Sequence, residues 1–91
     1  MLTTKYKQQL KGRAHKLKPI ILIGNKGFSV AVKNEIDRAL HDHELIKIRI
    51  ASEDRDERRE LAAQICEALN ATLIQTIGAI AVVYRKNEDK K

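Results

Sequence analysis

Two glycines three positions apart, Gly24 and Gly27, bracket the pair Asn25 and Lys26 in a spacing that could do chemistry. Glycine lets the backbone turn tightly and approach a ligand closely, and Lys26 adds a full positive charge. Ser29 follows where a helix N-cap belongs, and a helix beginning there offers N–H groups and a partial positive charge. The loop can therefore hold a phosphate, as loops that clamp a nucleic-acid backbone do, or it can be a plain structural turn.

The cations of the chain concentrate ahead of this loop. The formal net charge of the 91 residues is +6, and residues 1–19 hold six cations and no acid. These cations are Lys5, Lys7, Lys11, Arg13, Lys16 and Lys18. Residues 52–70 are net negative, with six acids against three arginines. A basic arm on an otherwise balanced domain predicts a polyanionic partner, and a merely solvated surface is the alternative.

No set of residues forms a convincing catalytic or metal site. His41 and His43 would point about 200° apart on a helix and cannot share an ion. The acids of residues 53–60 alternate with arginines across a helix start, which favours capping and ion pairs over a metal-dependent nuclease. Cys66 has no His or Lys partner nearby in sequence and is expected to be a small core residue. We therefore predict a protein that is not an enzyme and uses no cofactor or metal.

Composition excludes several classes. Cys66 is the single cysteine, so neither an internal disulfide nor a cysteine-rich zinc site can form. No apolar run has the length of a signal peptide or of a membrane span, so we expect a cytoplasmic protein. With two tyrosines and one phenylalanine, the chain is poorly equipped to stack splayed bases in the manner of an RNA-recognition motif. The composition therefore favours a protein that recognises structured nucleic acid by its charge and shape.

The apolar periodicity predicts seven elements in the order α-β-α-β-α-β-β. A first helix runs from Thr3 or Thr4 to about Leu17, with Pro19 preventing its continuation. The other elements are a strand over 20–23, a helix over 30–43, a strand over 45–51, a helix between Asp54 and Asn70, and strands over 71–77 and 79–85. Asp54 and Glu57 should form a capping box at the start of the third helix, and Asn70 should end it in the left-handed conformation. Gly78 should turn the last two strands into an antiparallel hairpin. Residues 87–91 should form a frayed charged tail.

These elements predict a single α/β domain with a four-stranded mixed sheet and helices on both faces. The strands over 20–23 and 79–85 are apolar on both faces, so we expect both to be central, and the alternating strand over 45–51 to lie nearer an edge. The second and third helices should cover one face and the first helix the other. The buried stripe of the first helix should contain Tyr6, Leu10, Ala14 and Leu17. Arg13 falls beside that stripe, so its side chain must reach outward or the helix must be rotated.

Several motifs in order resemble the CRM domain (chloroplast RNA splicing and ribosome maturation), above all the small stand-alone bacterial form of YhbY type. They are Ala14-His15-x-Leu17-Lys18-Pro19, Ile23-Gly24-Asn25-Lys26-Gly27, Glu35-Ile36, His43-Glu44-Leu45-Ile46-Lys47, Ile77-Gly78 and Tyr84-Arg85. The resemblance covers nearly the whole chain. It implies an RNA-binding module with a Gly-x-x-Gly loop and a fold like the C-terminal domain of a bacterial translation initiation factor. It also implies an association with precursors of the large ribosomal subunit; in plant organelles such domains serve in group II intron splicing factors.

By position, the resemblance places RNA contacts on the basic first helix, the loop and the segment after the last strand. The candidate residues are Lys5, Lys7, Lys11, Lys16, Lys18, Gly24, Asn25, Lys26, Gly27, Arg85 and Lys86. The chain departs from the family pattern at Arg13, where an apolar residue is usual, and at Ala79, where a basic residue commonly follows the turn glycine. The second departure weakens the hairpin turn as an RNA contact.

We thus expect a monomeric, non-enzymatic protein that binds structured RNA, and the resemblance implies that this is ribosomal RNA bound during assembly of the large subunit. A protein-interaction module, whose basic arm docks an acidic protein on ribosomal particles, is the alternative. A peripheral membrane role for the first helix is disfavoured because its apolar stripe is thin and contains one aromatic residue.

Overall fold

A computed structural model describes residues 3–24 and 27–87. Seven elements follow the predicted order. They are α1 (Thr4–Ala14), β1 (Ile21–Ile23), α2 (Val30–His43), β2 (Leu45–Ile50), α3 (Arg55–Leu69), β3 (Thr72–Ile77) and β4 (Ile80–Tyr84).

The four strands form one mixed sheet in the order β1-β2-β4-β3. β1 and β2 are parallel, as their connection through α2 requires. β4 lies antiparallel to both β2 and β3, and Gly78 turns the β3–β4 hairpin with a φ of 56°. The mixed sheet and the closing hairpin confirm the sequence-based fold.

Helices cover the sheet on both faces, as predicted, and each face has its own core. On one face Ile36 and Leu40 of α2 and Ile65 of α3 pack against strand residues such as Ile48 and Val83. On the other face Leu10 and Ala14 of α1 pack against a smaller group of strand residues. That group consists of Leu45, Ile74, Val82 and Tyr84. Because α1 is short, it covers only part of its face.

The two central strands are β2 and β4, so the prediction was correct for β4 and wrong for β1 and β2. β1 is a three-residue edge strand, with Ile20 just before it 53% exposed and Leu22 within it 60% exposed. β2 lies between β1 and β4. The error has a physical origin: an apolar run indicates burial on both faces only if a helix lies over each face, and α1 contacts β2 and β3 but leaves Leu22 uncovered.

Side-chain caps begin all three helices. Thr3 caps α1, Ser29 caps α2 by accepting the Val32 N–H, and Asp54 caps α3 by accepting the N–H groups of Asp56 and Glu57. In the capping box predicted for α3, the Glu57 carboxylate does not contact the Asp54 N–H directly. The hydroxyl of Ser52 accepts the Asp54 N–H at 3.2 Å and donates to the Glu57 carboxylate at 2.9 Å, so it relays the contact. Asn70 ends α3 in the left-handed conformation, as predicted.

α1 ends at Ala14, three residues before the predicted end. The N–H groups of the next residues, His15 to Leu17, bond to carbonyls three positions back, which tightens the chain ahead of Pro19. Leu17 therefore leaves the apolar stripe and is 37% exposed. Arg13 is exposed, so its side chain reaches outward. This is the first of the two arrangements that the sequence predicted.

Asn87, expected as the first residue of a frayed tail, is buried. Its side-chain amide donates to the His41 carbonyl at 2.7 Å, and its backbone N–H donates to the Glu44 carboxylate at 2.7 Å. The chain is thus held against the end of α2 up to Asn87, while the remainder of the predicted tail, 88–91, lies outside the described residues.

Candidate functional site

The charges of the domain divide between its two faces. The sequences of α1 and of all four strands contain no aspartate or glutamate, whereas α2, α3 and the segments next to them hold every acid of residues 3–87. On the side of the sheet that carries α1, the helix and the strands therefore contribute cations and no acid, while Glu44, between α2 and β2, is near enough to Tyr84 to raise the pKa of its hydroxyl. We call this side of the sheet the basic face and define it by Lys5, Lys7, Lys11, Arg13, Lys16, Lys18, Lys47 and Arg49.

The predicted lysines of the first segment lie where solvent reaches them. Lys5, Lys16 and Lys18 are exposed, and Lys7 and Lys11 are half-buried. Half-burial suits a lysine whose aliphatic stem lies on the surface while its ammonium group stays in water. The structure thus places these five predicted residues on the side of the sheet that carries α1.

Lys47 and Arg49 join these lysines from β2 and were missed as site residues. The sequence contained the relevant pattern, because alternation along β2 sets both opposite the buried Ile46, Ile48 and Ile50. The alternation along β2 does not by itself show on which face of the sheet α1 packs. With α1 on the same side as Lys47 and Arg49, the cations of the strand extend those of the helix.

The predicted loop leaves the end of β1 and leads directly into α2. The Gly27 N–H donates to the Gly24 carbonyl at 3.0 Å, and Gly27 has a φ of 72°, a conformation that favours glycine. Ser29 then caps α2, so the positive end of the helix dipole follows the second glycine. Asn25 and Lys26 lie outside the described residues. The bracketing glycines thus close the turn next to a helix N-terminus, the arrangement that suits an anion.

Arg85 lies on the opposite side of the sheet from α1. Its guanidinium contacts the Asp37 carboxylate at 2.7 Å and donates to the carbonyls of Asp37 at 3.0 Å and Leu69 at 3.2 Å. These contacts tie the end of β4 to α2 and α3. The structure therefore gives Arg85 a bridging role and does not group it with the basic face. Lys86, its neighbour, is exposed.

A cavity of about 290 Å³ opens where the turn after α1 meets the end of α2. Leu17, Ile20 and Leu45 form its apolar wall, and Arg13 and His43 contribute polar groups to its lining. His43 is exposed, although helical spacing puts it on the same face of α2 as the buried Ile36 and Leu40. Arg13 thus borders an open pocket beside the basic face.

The buried thiol and phenol of the domain are held in their neutral forms. Burial raises the pKa of Cys66 to about 11, which makes the thiol a poor nucleophile at neutral pH. Burial, followed by the hydrogen bond between the Tyr84 and Tyr6 hydroxyls, raises the pKa of Tyr84 to about 12. Within residues 3–24 and 27–87, no three His, Cys, Asp or Glu side chains gather where a metal could bind. No helix of this part is long and apolar enough to cross a membrane.

Known proteins resemble this chain along most of its length. It is 44% identical over 86 residues to the Pseudomonas aeruginosa protein named "Probable RNA-binding protein PA4753", covering 94% of this chain and 83% of that protein. It is 43% identical over 90 residues to a Haemophilus influenzae protein named "RNA-binding protein", covering 99% and 91%. The solution structure of the Staphylococcus aureus protein SAV1595 superposes with a TM-score of 0.87 at 37% identity, covering 100% of this chain and 95% of that one.

The family comparison agrees with these relatives and with the fold. Residues 2–85 match the CRS1 / YhbY (CRM) domain, a span that includes the basic α1, the glycine-bracketed loop and the closing hairpin. The resemblance proposed from the motifs is thereby confirmed: this chain belongs to the CRS1 / YhbY (CRM) domain family.

Proposed function

We propose that this protein binds RNA, and that its basic face and the Gly24–Gly27 loop contact phosphates of structured ribosomal RNA. The observation that carries the proposal is the division of charge, with eight cations and no acid on α1, its following turn and the strands. The relatives named as RNA-binding proteins and the family membership support it.

The two parts of the site would contribute differently. Flexible lysines on α1 act as point charges that displace counterions from the RNA, which supplies affinity without sequence preference. The loop adds direction, because backbone N–H groups at a helix N-terminus bind a phosphate in one orientation. The role needs positioning and charge neutralisation, and no bond-breaking step.

We further propose that the protein acts as a monomer in the cytoplasm, on precursors of the large ribosomal subunit. The test is to crosslink the protein to RNA in living cells and to sequence the attached RNA. The expected result is enrichment of large-subunit ribosomal RNA over messenger and transfer RNA.

Co-sedimentation with ribosomal particles provides the second arm. If the protein contacts RNA directly, ribonuclease treatment releases it from the particles. If it remains bound to a ribosomal protein after complete digestion and gives no RNA crosslinks, the RNA-binding proposal is wrong and the protein-interaction module is correct.

A further inference from the structure

We propose that the part of the sheet left uncovered beside α1 holds unpaired RNA nucleotides, with their bases against a row of four side chains. This inference rests on the proposed RNA-binding function and adds a class of substrate, the single-stranded segment, to it. The row consists of Leu22, Arg49, Ile80 and Ile77, one residue from each strand.

The strand register aligns these residues. Leu22 of β1 is the partner of Arg49 of β2, Arg49 is the partner of Ile80 of β4, and Ile80 is the partner of Ile77 of β3. Partners in neighbouring strands point to the same face. The four side chains therefore form one line across the whole sheet, which we call the exposed row.

The row lies on the α1 face and beyond the reach of α1. Its strand neighbours Ile23, Ile50 and Ala81 point into the opposite core, so the row itself points away from that core. The strand residues that α1 buries are at other positions, such as Leu45 and Val82. No helix among the described residues covers the row.

Large apolar side chains on this row meet solvent. Leu22 is 60% exposed and Ile77 is 50% exposed, and Ile20, one step along the same face, is 53% exposed. They are three of the five large apolar residues exposed in the described part of the chain. Leu22 and Ile20 lie together at the β1 edge of the sheet and Ile77 at the β3 edge, with Arg49 and the half-buried Ile80 between them. Exposed apolar side chains grouped on one face are typical of a binding site.

The charge around the row selects an anionic occupant. Arg49 is exposed in its middle, and Lys18 borders a shallow groove of about 670 Å³ that Ile20, Leu22 and Arg49 also line. The strands and α1 contribute no acid. A partner that is apolar on its flat faces and negative along its backbone matches this combination, and unpaired nucleotides have both properties.

Geometry favours nucleotides over a lipid surface or an acidic peptide. Leu22 lies two residues before Gly24, so the strand at one end of the row leads into the loop proposed to hold a phosphate, whose glycines border a pocket on the α3 side of the sheet. With strands about 4.8 Å apart, four strands span about 14 Å. The four-stranded sheets of RNA-recognition motifs hold two or three bases over such a width on aromatic side chains, and arginine guanidinium planes also stack on RNA bases. Here aliphatic side chains and Arg49 would replace the aromatic residues that the chain lacks.

The test uses two RNA probes with equal numbers of phosphates, one fully paired and one with an unpaired internal loop. The variants are the pair Leu22→Thr with Ile77→Thr, which keeps exposed strand residues compatible with the sheet, and Arg49→Lys, which keeps the charge and removes the planar group. Arg38→Lys, at an exposed position of α2, is the matched control. Thermal melting verifies that each variant is folded.

We expect the Leu22→Thr and Ile77→Thr pair to bind the looped probe about fivefold or more weakly than the wild type, and the paired probe as the wild type does. Arg49 also belongs to the basic face, so Arg49→Lys should lose about fivefold more affinity for the looped probe than for the paired probe. Arg38→Lys should leave both affinities unchanged. In methyl NMR spectra of the wild type, the looped probe should shift the signals of Leu22, Ile77 and Ile80, and leave those of Ile36 and Ile65 in the opposite core in place.

Two outcomes would overturn the inference and leave the proposed function standing. The row variants could bind the looped probe as tightly as the wild type, or they could lose affinity equally for both probes, which would indicate phosphate contact alone. If the wild type binds neither probe at low salt, the proposed function itself fails, and the inference falls with it.

Discussion

The hydroxyl oxygens of Tyr6 and Tyr84 lie 3.1 Å apart, and their rings meet edge to face at a centroid distance of 5.8 Å and an angle of 87°. One tyrosine belongs to the basic α1 and the other to the central strand β4. This contact, partly buried, joins the helix that carries the lysines to the sheet that positions them, together with the packing of Leu10 and Ala14.

Tyr6→Phe removes one partner of that hydrogen bond and keeps the ring contact. We expect the free energy of unfolding to fall by about 0.5–1.5 kcal/mol, because the buried Tyr84 hydroxyl loses its hydrogen bond to Tyr6. Adding Tyr84→Phe should cost less than the sum of the two single changes. Chemical denaturation of the four proteins in this cycle measures the coupling, and strictly additive losses would show that the hydroxyl contact contributes nothing.

RNA binding should depend strongly on salt. If about four cations of the basic face reach phosphates, the slope of log affinity against log salt concentration should lie near −3 to −4. Lys5→Ala with Lys16→Ala, at two exposed positions, should flatten the slope by about one to two and leave stability nearly unchanged. The control pair Lys33→Ala and Arg38→Ala removes the same charge from α2. Equal flattening by both pairs would contradict a binding role specific to the basic face.

Two acids in the loop should separate stability from RNA affinity. Asn25→Asp with Lys26→Asp retains both glycines, and acids near the start of α2 interact favourably with the helix dipole, by up to about 1 kcal/mol. The same acids repel a phosphate and compete for its N–H groups. We expect an unchanged or higher melting temperature and a loss of RNA affinity of about tenfold or more.

The control for the loop variant is Lys33→Asp with Asn34→Asp, at exposed positions of α2, which makes the same change in net charge. Comparable losses of affinity in the two double variants would show that the loop has no special role, and the Gly24–Gly27 site should then be abandoned.

Cys66 should make stability depend on alkaline pH. The unfolded thiol ionises near its ordinary pKa of 9, while burial holds the folded pKa at about 11. Between these values the folded state keeps a proton that the unfolded state has lost, so the free energy of unfolding falls as pH rises, on the order of 2–3 kcal/mol in total. Denaturation at pH 8 and above pH 10 measures the fall, which should be smaller in Cys66→Ala.

Thiol labelling provides an independent check of the same burial. A thiol reagent should react slowly with Cys66 in the folded protein and rapidly in denaturant. Equal rates under the two conditions would refute burial and reopen the question of a functional thiol.

Arg85→Gln should cost stability more than RNA binding. The change removes the ion pair with Asp37 and a hydrogen bond to Leu69, so we expect a loss of about 1 kcal/mol in the free energy of unfolding. RNA affinity should fall no further than in Arg38→Gln, which removes one charge from the same side of the sheet. A much larger loss of affinity with unchanged stability would restore Arg85 as an RNA contact.

The sequence by itself determined the elements and their caps, because both depend on local physics. Apolar spacing distinguishes helices from strands, Pro19 stops a helix through its own geometry, and Ser29 and Asp54 cap the helices that follow them. The family motifs, too, are local strings of residues. These features were predicted without knowing where any element lies relative to another.

Tertiary structure alone decided which strand is central and which cations share a surface. Leu22 is as apolar as a core residue, yet it is exposed because α1 packs over β2 and β3 and stops short of it. Arg49 and Arg85 are both cations on or beside strands, yet one lies on the basic face and the other bridges α2 and α3. The physical reason is that burial and charge neighbourhood depend on what lies across the sheet, and no spacing along the chain encodes that distance.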